Sequence, residues 1–370
     1  MSVEPIQVVY RVRVGASALE ERVEALLLEQ TVELPRTALR TEFVRNHVVG
    51  KVVSAEEAGA GIYRVTLAQP AIASADDPAQ LLNLLFGNCS LQPDVELEDV
   101  HLPAPLAAKL GGPRFGIEGI RRVTGVTGRA LTASVLKPVG LSVQEAADLC
   151  HTLSLAGIDI IKDDHGFADY SFNPFAERVE ACLAATRKAS QETGRQSLYI
   201  PNLVGQPGTV MHQAWQAKHL GAEAVMISPM ILGLPFLNEL AGDVAMPVVA
   251  HPAFGGFQRI APGVLLGKLF RLYGADAVIF PNAGGRFSYG RDTCEAIIRE
   301  LRAPCAGISK SFPVPAGGMK AESVGQVLEA YGADTILLIG GSLLDCPDRE
   351  TLIARGRQFV EAVHAFPHAR

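Results

Sequence analysis

Long apolar runs are missing from this 370-residue chain. The longest, around Ala224–Phe236, is interrupted by Ser228, Pro229 and Pro235 and is too short to span a bilayer. The opening residues, MSVEPIQVVYRVRV, alternate as a strand does and contain no apolar block of the signal-peptide kind. None of the six cysteines (Cys89, Cys150, Cys182, Cys294, Cys305, Cys346) belongs to a CxxC pair. That excludes a zinc ribbon or a disulfide scaffold and predicts reduced thiols in a cytoplasmic protein. Runs of Lys or Arg are also missing, and the net charge is −6, which excludes a nucleic-acid footprint. Trp215 is the single tryptophan, and it reads as packing rather than recognition.

Hydrophobic residues make up 48% of the chain and charged ones 19%, enough apolar surface for a large core and little room for disorder. The length fits one very large domain or two. Residues 1–125 mix element types: a strand at Val8–Val14, a helix at Ala16–Gln30, strands at Val48–Val53 and Gly61–Leu67, and a helix at Asp77–Phe86. Without a repeating order this reads as an α+β domain, of ferredoxin-like type.

After Arg121–Arg129 the pattern becomes regular. Short apolar runs suited to buried parallel strands occur at Leu131–Lys137, Ile158–Lys162, Leu198–Val204 and Ala224–Ser228. Four more follow at Pro247–His251, Ala277–Pro281, Phe312–Ala316 and Thr335–Gly340. Helical stretches lie between them, several ended by glycine (Gly194, Gly221, Gly274, Gly332), and Ser142–Glu145 is a capping box. Eight repeats predict a (β/α)8 barrel over residues 126–370. A doubly wound sheet is the alternative, but it more often shows fewer strands and a GxGxxG after the first, and none follows Leu131–Lys137.

Barrel chemistry sits at the C-terminal ends of the strands. The second strand, Ile158–Ile161, ends in Lys162, Asp163, Asp164 and His165. A lysine beside carboxylates serves as a general base, a Schiff-base lysine or a carbamate-type metal ligand, or it is a solvated local ion pair. Lys137-Pro138 ends the first strand, Asn202 the third, His251 the fifth and Asn282 the sixth, with Gly284-Gly285-Arg286 beyond. Gly317-Gly318 and Gly340-Gly341 end the seventh and eighth, where barrels bind phosphate through backbone N–H groups. Asp163 reads as a cap or ion-pair partner, Asp169 and Asn173 as turn residues, and His212 and His219 as a solvated helix face.

The order LKPVGLS, IKDDHGFAD, AHPAFGG, FPNAGGRFSYG, PVPAGG, LLIGGS, preceded by GNCS and LEDVHLP, resembles the large subunit of RuBisCO. It is most similar to the RuBisCO-like (form IV) proteins that do not fix CO2. The resemblance spans most of the chain. It implies that Lys162 is carbamylated by CO2 and ligates Mg²⁺ with Asp164, with His165 at the third ligand position, where the family has Glu. It also implies that Lys137 handles protons on the enolising substrate and that His251 lies near substrate hydroxyls. Gly317, Gly318, Gly340 and Gly341 would cradle one phosphate. Asn88, with Glu29 near it, would reach the active site of a partner subunit, making a homodimer the smallest functional unit.

Departures from the family pattern are as informative. Magnesium prefers oxygen, so His165 leaves water or substrate oxygens to complete the site. Val139 replaces the second lysine of Lys-Pro-Lys, Pro252 an arginine, Gly255 and Ile279 histidines, and Ala316 a serine; Arg286 falls near the mobile-loop lysine that positions CO2. The lost groups position CO2 or bind a second phosphate. The retained ones enolise a ketose and hold one phosphate; within the family one activity of this kind isomerises 5-methylthioribulose 1-phosphate by proton transfer, and the resemblance implies that reaction here. Enolisation of a diketo-methylthiopentyl phosphate, the reaction of another subgroup, uses a lysine where this chain has Asn88. Alternatives are a decarboxylase or hydrolase of 3-oxo sugar-acid phosphates, with Arg286 clamping the carboxylate, and a non-catalytic sugar-phosphate binder. Two buried lysines beside acids weigh against the binder, and Val139 and His165 weigh against a carboxylase.

Overall fold

The computed structural model describes residues 4–256, 259–287 and 289–367. The chain divides into two compact units. The first holds residues up to Gly111 together with Phe257–Leu265 and Cys305–Ile308, and the second holds the rest.

In the first unit, β1 (Ile6–Arg13), β2 (Lys51–Gly59), β3 (Ile62–Gln69) and β4 (Val95–His101) form an antiparallel sheet in the order β2-β3-β1-β4. β1 and β3 alternate buried with exposed residues, the signature of a sheet with one covered face. β2 is an edge strand and is exposed along its length, with register shifts between Val52 and Ser54 and between Glu57 and Gly59. Such irregularities discourage edge-to-edge pairing. The helix Leu19–Thr31 buries Val23, Leu26, Leu27 and Gln30. A π-helical turn at Val44–Val48 occupies the start of the strand expected at Val48, so that strand begins only at Lys51. β4 was not foreseen: its acids Glu96, Glu98 and Asp99 and a register shift at Glu98 hide the buried residues Val95, Leu97 and Val100.

The second unit contains all eight expected parallel strands: β5 (Leu131–Leu136), β6 (Ile160–Asp163), β7 (Leu198–Ile200), β8 (Val225–Ile227), β9 (Val248–Ala250), β10 (Ala277–Pro281), β11 (Phe312–Ala316) and β12 (Ile336–Leu338). They pair in the orders β12-β5-β6-β7 and β8-β9-β10-β11, and a bridge between Asn202 and Met226 links β7 to β8. The Ser142–Glu145 capping box opens the helix Val143–Leu155 as predicted.

Because side chains alternate along a strand, every second residue enters the barrel. Leu131, Ala133, Ile160, Leu198, Ile200, Met226, Val249, Ala277, Ile279, Phe312, Val314, Ile336 and Leu338 form one apolar core, joined by Ile117 and Ile120 from the helix Gly116–Thr124. Ile279 therefore belongs to the packed interior and not to the barrel mouth. A space of about 20 Å³ lies among these residues, roughly room for one water. Among the described residues, no helix is long and apolar enough to cross a membrane, and all six cysteines are free thiols.

Candidate active site

The alternation that sends Ile160 into the barrel also sends Lys162 inward, where it lines the top of the apolar interior. Its neighbour Asp163 faces the other way, toward the helix Phe175–Thr193. This opposition divides the strand end into a reactive inner side and a supporting outer side.

On the inner side, Lys162 is buried and its Nζ donates to the Asp163 carbonyl at 2.8 Å. Burial pushes its ammonium down to about 8, although Asp164 and Asp163 pull the other way. Lys137, from the end of β5, places Nζ 2.8 Å from Asp164 Oδ1. Burial raises the Asp164 carboxyl, but hydrogen bonds from His165 and Lys137 outweigh it and hold the group well below the usual carboxylate range. His165 Nδ1 lies 3.5 Å from the same oxygen. The His165 ring stacks on that of His251, centroids 4.1 Å apart and planes 11° from parallel. Burial, with the charges of Lys162 and His165, pushes His251 well below the usual imidazole range, so it is neutral at physiological pH. Lys137, Lys162, Asp164, His165 and His251 are thus brought together. Lys137 differs from expectation in one respect: 37% of its side chain is exposed, so only Lys162 is a buried lysine.

On the outer side, Asp163 is fully buried. It accepts from Tyr199 Oη at 2.7 Å, Asn202 N at 3.1 Å and Arg178 Nε at 3.1 Å. Arg178, also fully buried, donates through one terminal nitrogen to Ala168 O, Asn173 O and Asn173 Oδ1. Its guanidinium lies over Phe167 and Phe175. Asn202 Nδ2 donates to the carbonyls of His165 and Phe167, pinning the loop that carries His165. Asp169 caps Phe175 N at 2.7 Å. Asp163 is the ion-pair partner expected of it, while Asp169, read as a turn residue, caps a helix. Arg178 and Asn173 went unrecognised as supports, yet an arginine one turn after Phe175 and beside Val179, on the buried helix face, was the available signal.

The glycine pairs bring loops together backbone to backbone. Gly317 and Gly318 both have left-handed φ angles, 83° and 85°. A Cβ on Gly285 would fall 1.8 Å from Gly317 O, and one on Gly318 would fall 2.8 Å from Gly285 Cα. Arg286 N donates to Gly317 O at 3.2 Å. Gly340 precedes the short helix Gly341–Leu344, and a Cβ there would press on Val135 at 3.1 Å. The Arg286 side chain is exposed, and its guanidinium stacks on Phe287 at 4.9 Å. His212, Trp215 and His219 are exposed on the helix Pro207–Leu220. Lys218 covers the Trp215 ring, so the tryptophan packs against a surface lysine and not into the core. In the first unit, Asn88 Nδ2 donates to Glu29 Oε1 at 3.0 Å. The turn that holds Asn88 is anchored by Gln30, which receives the Cys89 N–H and donates to Leu84 O.

An antiparallel α+β unit followed by a parallel barrel, with a lysine–carboxylate cluster and glycine pairs on its loops, defines an α/β-barrel enzyme of the RuBisCO architecture. The catalytic-domain family described as "Ribulose bisphosphate carboxylase large chain, catalytic domain" matches residues 116–363, and the chain belongs to that family. It is 44% identical over 349 residues to ribulose bisphosphate carboxylase-like protein 1 of Rhodopseudomonas palustris, covering 94% of this chain and 95% of that one. It is 43% identical over 348 residues to the 5-methylthioribulose-1-phosphate isomerase of Rhodospirillum rubrum, covering 94% and 93%. The crystal structure of a Rubisco-like protein from Rhodopseudomonas palustris superposes with a TM-score of 0.91 at 41% identity, over 99% of both chains.

Proposed function

We propose that this protein is an isomerase that enolises 5-methylthioribulose 1-phosphate and returns the proton to a different carbon. The observation that carries this reading is Lys162: a buried amine, biased toward its neutral form, beside the Lys137–Asp164 pair. A neutral amine is what a general base at the end of a barrel strand requires. The 43% identity to an isomerase of that substrate supports the same assignment.

The phosphate would rest on backbone N–H groups of Gly317 and Gly318, where left-handed backbone turns N–H groups toward an anion, and of Gly340 and Gly341, at the start of the short helix after β12. Lys162, or Lys137, would remove the proton α to the carbonyl, and the cationic partner would stabilise the enediolate oxygen. His251, neutral and stacked on His165, would hold a substrate hydroxyl. Asn88 and Glu29 would serve the site of a partner subunit, in a cytoplasmic homodimer or larger assembly.

A divalent cation, Mg²⁺ by resemblance, fits the donor set on one condition. Among the described residues, no three His, Cys, Asp or Glu side chains converge on a point. Asp164 and His165 become a three-ligand set only if Lys162 carries a carbamate, and its lowered pKa favours the neutral amine that reacts with CO2. Bound there, the ion would polarise the substrate carbonyl as a Lewis acid.

The test is proton NMR of 5-methylthioribulose 1-phosphate with the protein in D2O, Mg²⁺ and bicarbonate. Loss of an α-proton signal with growth of a new pentulose phosphate, both abolished in Lys162→Ala, is expected. An unchanged spectrum from folded protein rejects the isomerase.

A further inference from the structure

Phe254 stands out in the loop after β9. Its φ of 65° lies in the left-handed region, where a bulky side chain is strained, and 64% of its surface is exposed. Gly255 N donates to Pro252 O at 3.0 Å, closing a tight turn with Phe254 at its third position. A positive φ at that position ordinarily calls for glycine or asparagine. Here the glycines come one and two residues later.

The turn is tied directly to the reactive cluster. Ala253 N donates to His251 Nδ1 at 3.1 Å, and the His251 ring is the one that stacks on His165. That bond fixes the loop relative to the imidazole and holds the Phe254 backbone in place. Residues 252–256, PAFGG, offer no charged or hydrogen-bonding side chain. A phosphate or a hydroxyl would find no side-chain partner in this five-residue segment, whereas an aromatic ring is a favourable neighbour for a thioether sulfur. A strained, solvent-facing aromatic beside a reaction centre persists when the surrounding structure and the function require it.

We propose that Phe254 is a specificity-determining residue whose ring forms the apolar wall for the methylthio end of the substrate, the end remote from the phosphate. The inference rests on the isomerase reading and adds the selection of the substrate's tail. Discrimination of a methylthio group from a hydroxyl through such a wall is worth roughly 10–200-fold in kcat/KM.

The experiment compares 5-methylthioribulose 1-phosphate with ribulose 1-phosphate, which carries a hydroxyl in place of the thioether. Both are assayed on the wild type, Phe254→Gly and Phe254→Leu, with melting temperature and sedimentation recorded for each protein. Phe254→Gly should lose about tenfold or more in kcat/KM for the thioether and little for the hydroxyl substrate. Its melting temperature should rise by about 2–4 °C as the left-handed strain is relieved, with the oligomeric state unchanged. Phe254→Leu should retain most of the preference. A wild type that converts the thioether while Phe254→Gly keeps the same substrate ratio overturns this inference alone. So does a Phe254→Gly protein whose loss is explained by a changed oligomer. A folded, metal-loaded wild type that converts neither ketose overturns the isomerase reading and this inference with it.

Discussion

Arg178 and Asp163 form an ion pair at 3.1 Å in which both side chains are fully inaccessible to water. The pair lies directly behind Lys162, whose Nζ donates to the Asp163 carbonyl. The same residue thus supplies a side chain to the support and a carbonyl to the reactive amine. Removing one partner of such a pair leaves a buried charge uncompensated and costs about 3–5 kcal/mol. Arg178→Met should therefore lower the unfolding free energy by an amount of that order. Arg178→Lys keeps the charge but loses the several N–H contacts to Ala168 and Asn173, and it should fall between. Urea unfolding of the three proteins checks the order.

Lys162 itself is a stability liability. Its folded pKa, about 8, lies below the ordinary 10.5, so the native state binds the proton less tightly than the unfolded chain does. The cost is fully present below pH 8 and disappears as pH rises toward 10.5. Lys162→Met should be inactive yet more stable than the wild type at pH 7, by on the order of 1–3 kcal/mol. The gap should close at alkaline pH. The same shift predicts a wild-type kcat/KM that climbs with pH to about 8 and then levels, as the neutral amine, the form that either acts as base or takes up CO2, becomes the major form. Thermal melts across pH and a pH–rate profile test the two statements separately.

At the proposed phosphate cradle the decisive contact is between main chains. A methyl on Gly285 would collide with Gly317 O, an atom that cannot move without moving the loop. Gly285→Ala should weaken inorganic phosphate binding about tenfold, roughly 1.4 kcal/mol. Gly290→Ala, whose Cβ meets nothing within 4 Å and whose φ is −76°, should bind as the wild type does. Calorimetric titration with phosphate distinguishes them.

The barrel was legible because each strand is a short apolar run closed by polar residues, and because glycines end the helices between them. The inner cluster was legible for the same reason: Lys162, Asp164 and His165 follow an apolar run too abruptly to be core. The outer support was not. Arg178 lies in a helix of mixed polarity; its place one turn after Phe175 marks the buried face, but nothing in FAERVEAC says that its guanidinium meets an aspartate fifteen residues earlier. Phe254 was hidden differently, since its oddity is a backbone angle that no residue pattern reports. In the first unit, β4 was lost among its own acids, and the π-turn before β2 has no periodicity to announce it.

The proposed metal site makes the most discriminating prediction. Asp164 and His165 are only two protein ligands, and Lys162 as an ammonium would repel a cation rather than bind it. Conversion of the amine to a carbamate reverses that sign and supplies a hard oxygen ligand suited to Mg²⁺. Mg²⁺ affinity of the metal-stripped protein should therefore be weak without bicarbonate and rise at least tenfold with it. Lys162→Ala should bind weakly in both conditions, and Asp164→Asn should lose most of the bicarbonate-dependent gain. Calorimetric titration of Mg²⁺ into each protein, with and without bicarbonate, measures this without any substrate. Equal affinities for the wild type in the two conditions would show that Lys162 acts as a free amine, and the role of base would then fall to it directly.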